Sequence, residues 1–233
     1  MLDCLLELVA PSRCAGCDAV NREIWCARCG EPVAGALGTL PESPLPLHVG
    51  GLYAGPLAEA IRRFKYAPRP ELARSLATWL APLLGVQSAG CLWVPVPLHP
   101  RRLVERGFNQ SALLARRLAA LRGGRFAPEL LARVRDTAQQ ALLSAPERAD
   151  NLRASMRVRA FASEPILLVD DVVTSGATAR ACAEALGDAG LCVRGVVALA
   201  RAGAGARAST DGANSGEERG WLHEIGIAER FPP

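Results

Sequence analysis

Two adjacent carboxylates, Asp170 and Asp171, stand next to a stretch of hydroxyl-bearing and small residues, and this combination could bind a phosphorylated sugar. Carboxylates accept hydrogen bonds from sugar hydroxyls or hold a divalent cation. Backbone N–H groups and hydroxyls of the small stretch suit a phosphate dianion, because a helical pattern begins there and a helix N-terminus carries positive partial charge. The residues of this stretch are Thr174, Ser175, Gly176, Ala177 and Thr178.

The elements around the acidic pair follow from the hydrophobic pattern. Four aliphatic residues, 166–169, predict a strand that is buried on both faces and ends at the carboxylates. The Ala-rich pattern of residues 177–186 predicts the helix that follows. The alternative, in which the two carboxylates only begin a solvated turn, does not account for the small residues that follow an apolar strand.

Four cysteines near the N-terminus form two pairs, with two residues inside each pair and eight between the pairs. Each pair can place two thiolates on one tetrahedral ion, which favours structural zinc. An oxidisable dithiol pair and an iron–sulfur centre are the alternatives. The cysteines are Cys14, Cys17, Cys26 and Cys29.

Further candidate binding residues, mostly basic and amide residues, lie in the middle of the chain. Lys65 is the single lysine among 27 basic residues, which fits a site that requires a compact ammonium, such as a tight phosphate pocket, although chance survival explains it equally well. A proline-shaped loop after a predicted strand could present backbone and guanidinium groups to a pyrophosphate. A polar cluster that follows it either lines the same site or only caps a helix. The loop candidates are Pro97 and Arg101, and those of the polar cluster are Arg106, Asn109 and Gln110.

An aperiodic segment later in the chain predicts a flexible loop that closes over a charged substrate. Its candidate residues are Arg133, Thr137 and Gln140. Between residues 99 and 160 the chain has 13 arginines against five acids, so this segment is the expected face for a polyanion, either pyrophosphate or nucleic acid. The alternative is that many of these arginines lie on ordinary helix surfaces.

The order of the predicted elements indicates an α/β protein. Strands that alternate with helices predict a mostly parallel sheet covered on both faces. We expect a zinc-binding module over residues 1–48, a ligand-binding domain over 49–202 and a disordered tail over 203–233. No apolar run is long enough to predict a membrane span, and the acidic N-terminus is a poor signal peptide, so a cytoplasmic protein is expected.

The segment 166–178 resembles the binding signature of phosphoribosyltransferases for phosphoribosyl pyrophosphate (PRPP). Together with Lys65-Tyr66, the 94–97 and 106–110 motifs, and the cysteine pairs, it is similar to the ComF family. That resemblance implies a type I phosphoribosyltransferase fold with a small N-terminal Cys4 zinc module, and a role in natural transformation. Two departures are the Ala-Pro-Arg-Pro segment 67–70, where the family commonly has Gly, and Ser175 in place of the commoner Thr.

The resemblance also implies roles for the candidate residues. The loop 174–178 would hold the 5-phosphate, Asp170 and Asp171 the ribose hydroxyls, and the loop after Pro97 the pyrophosphate with Mg²⁺. Two functions then remain open. One is transfer of a phosphoribosyl group to an unknown acceptor, with Asp170 and Asp171 stabilising the cationic transition state. The other is a non-catalytic PRPP sensor that binds single-stranded DNA or DNA-uptake proteins.

Overall fold

A computed structural model describes residues 12–34, 38–40, 45–66, 69–85, 88–134 and 151–203. Thr137 and Gln140 of the predicted flexible loop, and residues 204–233 of the predicted tail, lie outside these ranges. No helix in the described ranges is long and apolar enough to cross a membrane.

The described elements alternate along most of the chain, as the hydrophobic pattern predicts. The helices are α1 (Ala27–Ala34), α2 (Gly55–Tyr66), α3 (Leu72–Leu80), α4 (Pro100–Arg106), α5 (Gln110–Arg122) and α6 (Ala177–Asp188), with a 3₁₀ turn at Ala81–Leu83. The strands are β1 (Gly38–Leu40), β2 (Leu47–Val49), β3 (Leu92–Pro95), β4 (Arg125–Phe126), β5 (Leu131–Arg133), β6 (Met156–Val158), β7 (Ile166–Val173) and β8 (Val193–Arg201).

Six strands form the main sheet in the order β1-β2-β8-β7-β3-β4. All neighbours are parallel except β1 and β2, which are antiparallel. Strands β5 and β6 form a separate antiparallel pair. The predicted α/β architecture with a mostly parallel sheet is therefore confirmed, while the assignment to the type I phosphoribosyltransferase fold stays a prediction.

The two faces of β7 explain why its sequence is continuously apolar. Leu167 and Val169 pack in a core with α2, α3 and α5 on one face of the sheet. Ile166 and Leu168 pack in a second core with α6 on the other face. All four side chains are at most 2% exposed. A strand in the middle of a parallel sheet has no solvent face, so the alternation typical of a half-buried strand disappears.

The end of β7 differs from the sequence prediction. The strand does not stop at Val169 but continues through Asp170 and Asp171 to Val173. On one side, β8 pairs with β7 as far as Val173, whereas on the other side β3 ends at Pro95, opposite Val169. The two carboxylates therefore lie inside a strand, at the point where one of its two neighbours has ended.

The N-terminal segment contributes to the same sheet and core. Strand β2 joins the sheet parallel to β8, and Ala15 and Val33 are buried with Leu57 and Phe64 of α2. The segment that carries the four cysteines, called the cysteine segment below, therefore packs directly against α2. The predicted boundary between two domains near residue 48 stays a prediction.

Candidate functional site

The two carboxylates on β7 have different partners. The Lys65 Nζ atom lies 3.0 Å from Asp171 Oδ1, and both side chains are largely buried, at 16% and 11% exposed. The Ser111 hydroxyl donates to Asp170 Oδ1 at 3.2 Å, and the backbone N–H of Asp171 donates to the same oxygen at 2.8 Å. Asp171 is thus paired with an ammonium, whereas Asp170 accepts hydrogen bonds from uncharged donors.

This asymmetry changes the protonation of the pair. Burial, followed by the negative charge of Asp171, raises the pKa of Asp170 to about 7. The Asp171 N–H group, the Lys65 charge and the Ser111 hydroxyl act in the opposite direction but do not cancel these effects. Near neutral pH, Asp170 is therefore protonated in a substantial fraction of molecules, and can donate as well as accept a hydrogen bond.

Lys65 reaches the acidic pair from the last turn of α2. The structure gives the lone lysine a carboxylate partner, and a phosphate partner stays a prediction. An ammonium suits this position because it is a compact charge, whereas a planar guanidinium needs room for a fork of donors.

The loop 174–178 follows β7 directly and leads into α6. Gly176 has φ +72°, a left-handed conformation that costs glycine little, and stands immediately before the first helical residue. The Ser175 hydroxyl accepts from the Ala177 N–H at 3.4 Å. Thr174, Ser175 and Ala177 are exposed. The loop therefore offers solvent-accessible hydroxyls and a helix N-terminus directly after the acidic pair, and its role as a phosphate site stays a prediction.

Asn109 connects the loop after β3 to the beginning of α5. Its Oδ1 atom accepts from the N–H groups of Ser111, at 3.0 Å, and Ala112, at 3.4 Å, and its Nδ2 atom donates to the Val96 carbonyl at 3.1 Å. Asn109 is therefore the N-cap of α5, as one of the two interpretations of the polar cluster holds. The same cap places Ser111 next to Asp170.

Arg106 bridges α2 and α5 at the edge of the site. Its guanidinium carbon lies 5.1 Å from the centre of the Tyr66 ring, and its Nη1 atom donates to Gln110 Oε1 at 3.4 Å. Gln110 is 1% exposed, and its buried Nε2 atom has no hydrogen-bond partner within the described part of the chain. Tyr66, in contrast, is 69% exposed. The result is an exposed aromatic ring with a cation beside it, one residue from Lys65.

The remaining candidates are more scattered. Pro97 is buried in the loop after β3, Arg101 is exposed on α4, and Arg133 ends β5 in the separate two-stranded sheet. The sequence did not predict Ser111 as a partner of the acidic pair. Its position two residues after the capping Asn109 was the available signal, since that position lies in the first turn of α5.

The four predicted metal ligands come together near the N-terminus. The sulfur atoms of Cys14, Cys17, Cys26 and Cys29 all lie within 4.8 Å of one another, and those of Cys17 and Cys26 are 3.7 Å apart. Tetrahedral zinc with Zn–S bonds of about 2.3 Å requires sulfurs about 3.8 Å apart. The cluster could therefore hold a metal ion such as zinc.

The pKa values of two thiols in the cluster, Cys14 and Cys29, are shifted in opposite directions. Burial raises the pKa of Cys14, but hydrogen bonds from the backbone N–H groups of Cys17, Cys26 and Gly16 outweigh it and lower the pKa to about 6. Burial and the neighbouring thiols raise the pKa of Cys29 to about 12. A divalent cation would allow all four to be thiolates, because it offsets the repulsion between them.

Comparison with known proteins identifies several relatives, while no family model matches the chain. DNA utilization protein YhgH of Escherichia coli K12 is 33% identical over 188 residues, which cover 74% of this chain and 83% of that protein. The protein of the same name from Salmonella typhimurium LT2 is 35% identical over 179 residues, covering 71% and 79%. Competence protein F of Haemophilus influenzae is 30% identical over 216 residues, covering 84% and 93%.

Replacing Asp170 with asparagine should make the free energy of unfolding less dependent on pH. The pKa of Asp170 in the folded protein, about 7, is above its ordinary value of 3.8, so the folded state binds more protons between these limits. The free energy of unfolding of the native protein therefore falls as pH rises from 3.8 towards 7, and Asp170→Asn removes this contribution. Urea unfolding from pH 4.5 to 8 measures the slope.

The control for this experiment is Asp188→Asn at the exposed end of α6, where the carboxylate pairs with Arg153 on the surface. We expect its slope to equal that of the native protein. Identical slopes in native protein and Asp170→Asn would contradict the assigned pKa.

Replacing Cys26 with serine should remove most of the bound zinc, because three thiolates and a hydroxyl bind zinc far more weakly than four thiolates. Cys192→Ser is the control, since Cys192 is exposed and lies outside the cluster. Metal content per chain, measured by mass spectrometry after purification without chelators, separates the two variants. Equal zinc content in both would rule out the cysteine cluster as the binding site.

Proposed function

This chain belongs to the ComF family, and we propose that it binds PRPP beside Asp170 and Asp171 and acts in the uptake or use of DNA. The observation that carries the first part is the pairing of Lys65 with Asp171 next to a half-protonated Asp170, directly before the loop 174–178. The second part rests on the relatives, whose names refer to competence and DNA utilization.

The acidic pair suits a ribose diol for a specific reason. Each ribose hydroxyl is both a donor and an acceptor, so a site with one carboxylate beside an ammonium and one partly protonated carboxylate can satisfy both kinds of group. Asp171, which faces Lys65, accepts from one hydroxyl, and Asp170 exchanges a hydrogen bond with the other. The 5-phosphate then lies at the N-terminus of α6 and accepts from the hydroxyls and N–H groups of 174–178.

Magnesium would accompany the pyrophosphate as a counter-ion. The fit is reasonable because the acidic pair already has one ammonium partner and retains carboxylate oxygens, which are the ligand type that Mg²⁺ prefers. When bound, Mg²⁺ neutralises charge on the pyrophosphate. The residues of the chain orient the ribose, and the carboxylates stabilise positive charge that develops at the anomeric carbon if the pyrophosphate departs.

A second candidate function, contact with single-stranded nucleic acid, is favoured by Tyr66 and α4. No residue of α4 is buried, and the helix carries Arg101, Arg102 and Arg106 against one acid, Glu105. The exposed Tyr66 ring lies beside Arg106. A stacking ring among arginines is the combination that binds bases and phosphates of a single strand. This surface is adjacent to the PRPP site because Tyr66 follows Lys65.

Isothermal calorimetry with PRPP and Mg²⁺ tests the first function. The native protein should bind, and the double variant Asp170→Asn with Asp171→Asn should bind at least about a hundredfold more weakly, because each hydrogen bond to a charged group contributes about 1.5–3 kcal/mol. Asp188→Asn, which changes an exposed surface carboxylate, should bind as the native protein does. Unchanged binding by the double variant would show that the sugar lies elsewhere. Release of pyrophosphate with added acceptors tests transfer separately.

Binding of a fluorescent single-stranded oligothymidine tests the second function. Tyr66→Ala should weaken binding about 5- to 150-fold, since stacking contributes about 1–3 kcal/mol per base. Phe161→Ala is a matched control, because Phe161 is 78% exposed but precedes the beginning of β7, whereas the acidic pair lies towards its end. Equal losses in both variants, or affinity that does not fall with added salt, would contradict this surface as the DNA site.

A further inference from the structure

Arg63 joins the cysteine cluster to the helix that carries Lys65. Its Nη1 atom donates to the Ala15 carbonyl at 3.0 Å and also to the Gly16 carbonyl. Ala15 and Gly16 are the two residues between Cys14 and Cys17, so Arg63 binds the backbone of a metal-binding loop. Two donated hydrogen bonds from a charged group make this a strong local connection.

The loop between Cys14 and Cys17 packs closely against α2. Ala15 is 2% exposed and packs in the core with Leu57 of α2. A Cβ atom added at Gly16 would lie 2.9 Å from Pro56 Cβ and 3.0 Å from Cys29 Sγ. Glycine is therefore needed because the loop fits closely between the beginning of α2 and a ligand sulfur. This contact therefore joins the cysteine cluster directly to the beginning of α2.

A second contact holds the far end of the same helix. Asp18, one residue after Cys17, forms an ion pair with Arg69, which lies three residues after the end of α2. The cysteine segment thus contacts α2 at its beginning, in its last turn and just beyond its end. The position of the last turn depends on this segment as well as on the core.

The last turn of α2 transmits this position to the acidic pair. Arg63 and Lys65 are two residues apart and so point to nearly opposite sides of the helix. Phe64, between them, is 0% exposed and anchors the turn in the core. On one side Arg63 binds the loop of Cys14 and Cys17, and on the other Lys65 lies 3.0 Å from Asp171.

We propose that Arg63 is a positioning residue that couples metal binding by the four cysteines to ligand binding at Asp170 and Asp171. This inference rests on the proposed binding of PRPP. With the metal in place, the Ala15 and Gly16 carbonyls are fixed acceptors for Arg63, and Lys65 is held against Asp171. Without the metal, the loop loosens, Lys65 is less well placed and the affinity for PRPP falls.

Thermodynamic linkage makes the coupling measurable from the metal side. If zinc raises the affinity for PRPP, PRPP must raise the affinity for zinc by the same factor. Factors of about 5 to 150 are typical for coupled sites. The measurement therefore starts from the zinc-loaded protein and needs no separately prepared zinc-free sample.

The experiment measures transfer of zinc from the loaded, full-length protein to a chromophoric chelator, with and without saturating PRPP and with constant Mg²⁺. In the native protein, PRPP should raise the apparent zinc affinity on the order of tenfold. In Arg63→Met, which keeps an unbranched apolar chain but removes the donors, zinc should still bind and PRPP should no longer affect it. Arg63→Lys, which restores one cationic donor group, should show an intermediate effect.

Arg62→Met is the matched control. Arg62 is the preceding residue on α2, but it pairs with Glu59 on the helix surface and not with the cysteine segment. It should respond to PRPP as the native protein does. A zinc affinity that PRPP changes equally in native protein and Arg63→Met would overturn the proposal.

Calorimetry with PRPP on the native protein separates this proposal from the proposed function. If the native protein binds PRPP and its zinc affinity is unaffected, the coupling is wrong and the PRPP function stands. If the native protein does not bind PRPP, the proposed function itself fails, and the coupling to PRPP fails with it. Should Arg63→Met prove unfolded by circular dichroism, Arg63→Lys against Arg62→Met decides, and an unreduced effect in Arg63→Lys overturns the proposal.

Discussion

Two neighbouring carboxylates inside the central strand of a parallel sheet are the constraint on which the site depends. Asp170 and Asp171 are covered on one side by β8 and lie where β3 has ended, so they are only partly reached by water. Burying both charges without compensation would be very unfavourable. The fold meets this constraint with one ammonium from α2, one hydroxyl from α5 and a proton that remains partly bound to Asp170.

Helix α2 links the parts of the molecule that meet this constraint. Its buried face, which includes Ile61 and Phe64, packs in the core beneath the sheet. Its last turn carries Lys65 to the acidic pair and Tyr66 to Arg106, and Arg63 of the same turn binds the cysteine segment. A displacement of this one turn would therefore alter three contacts together: that of Lys65 with the acidic pair, that of Tyr66 with Arg106, and that of Arg63 with the cysteine segment.

The sequence predicted features that are encoded locally and missed those that depend on distant segments. The aliphatic run 166–169 predicted a strand buried on both faces, and the spacing of four cysteines predicted a cluster that could hold a metal. Both predictions were possible because each pattern lies within a short stretch of sequence. The extension of β7 through Asp170 and Asp171 was missed, since carboxylates ordinarily end a buried strand and the continued pairing with β8 is not a local property. The contacts of Lys65 and Ser111 with these carboxylates likewise join residues far apart in the sequence.

The acidic pair therefore has a different electrostatic environment from the one that its sequence neighbours alone suggest. Lys65 is paired with Asp171, a carboxylate partner that the sequence did not predict. In the proposed function, the N-terminus of α6, a metal counter-ion and arginines supply further positive partners for the phosphorylated ligand. Lys65 offsets the charge of Asp171 by direct contact, while the charge of Asp171 helps to raise the pKa of Asp170. The position of Lys65 beside the two carboxylates is in turn set by the helix turn that Arg63 fastens to the cysteine segment.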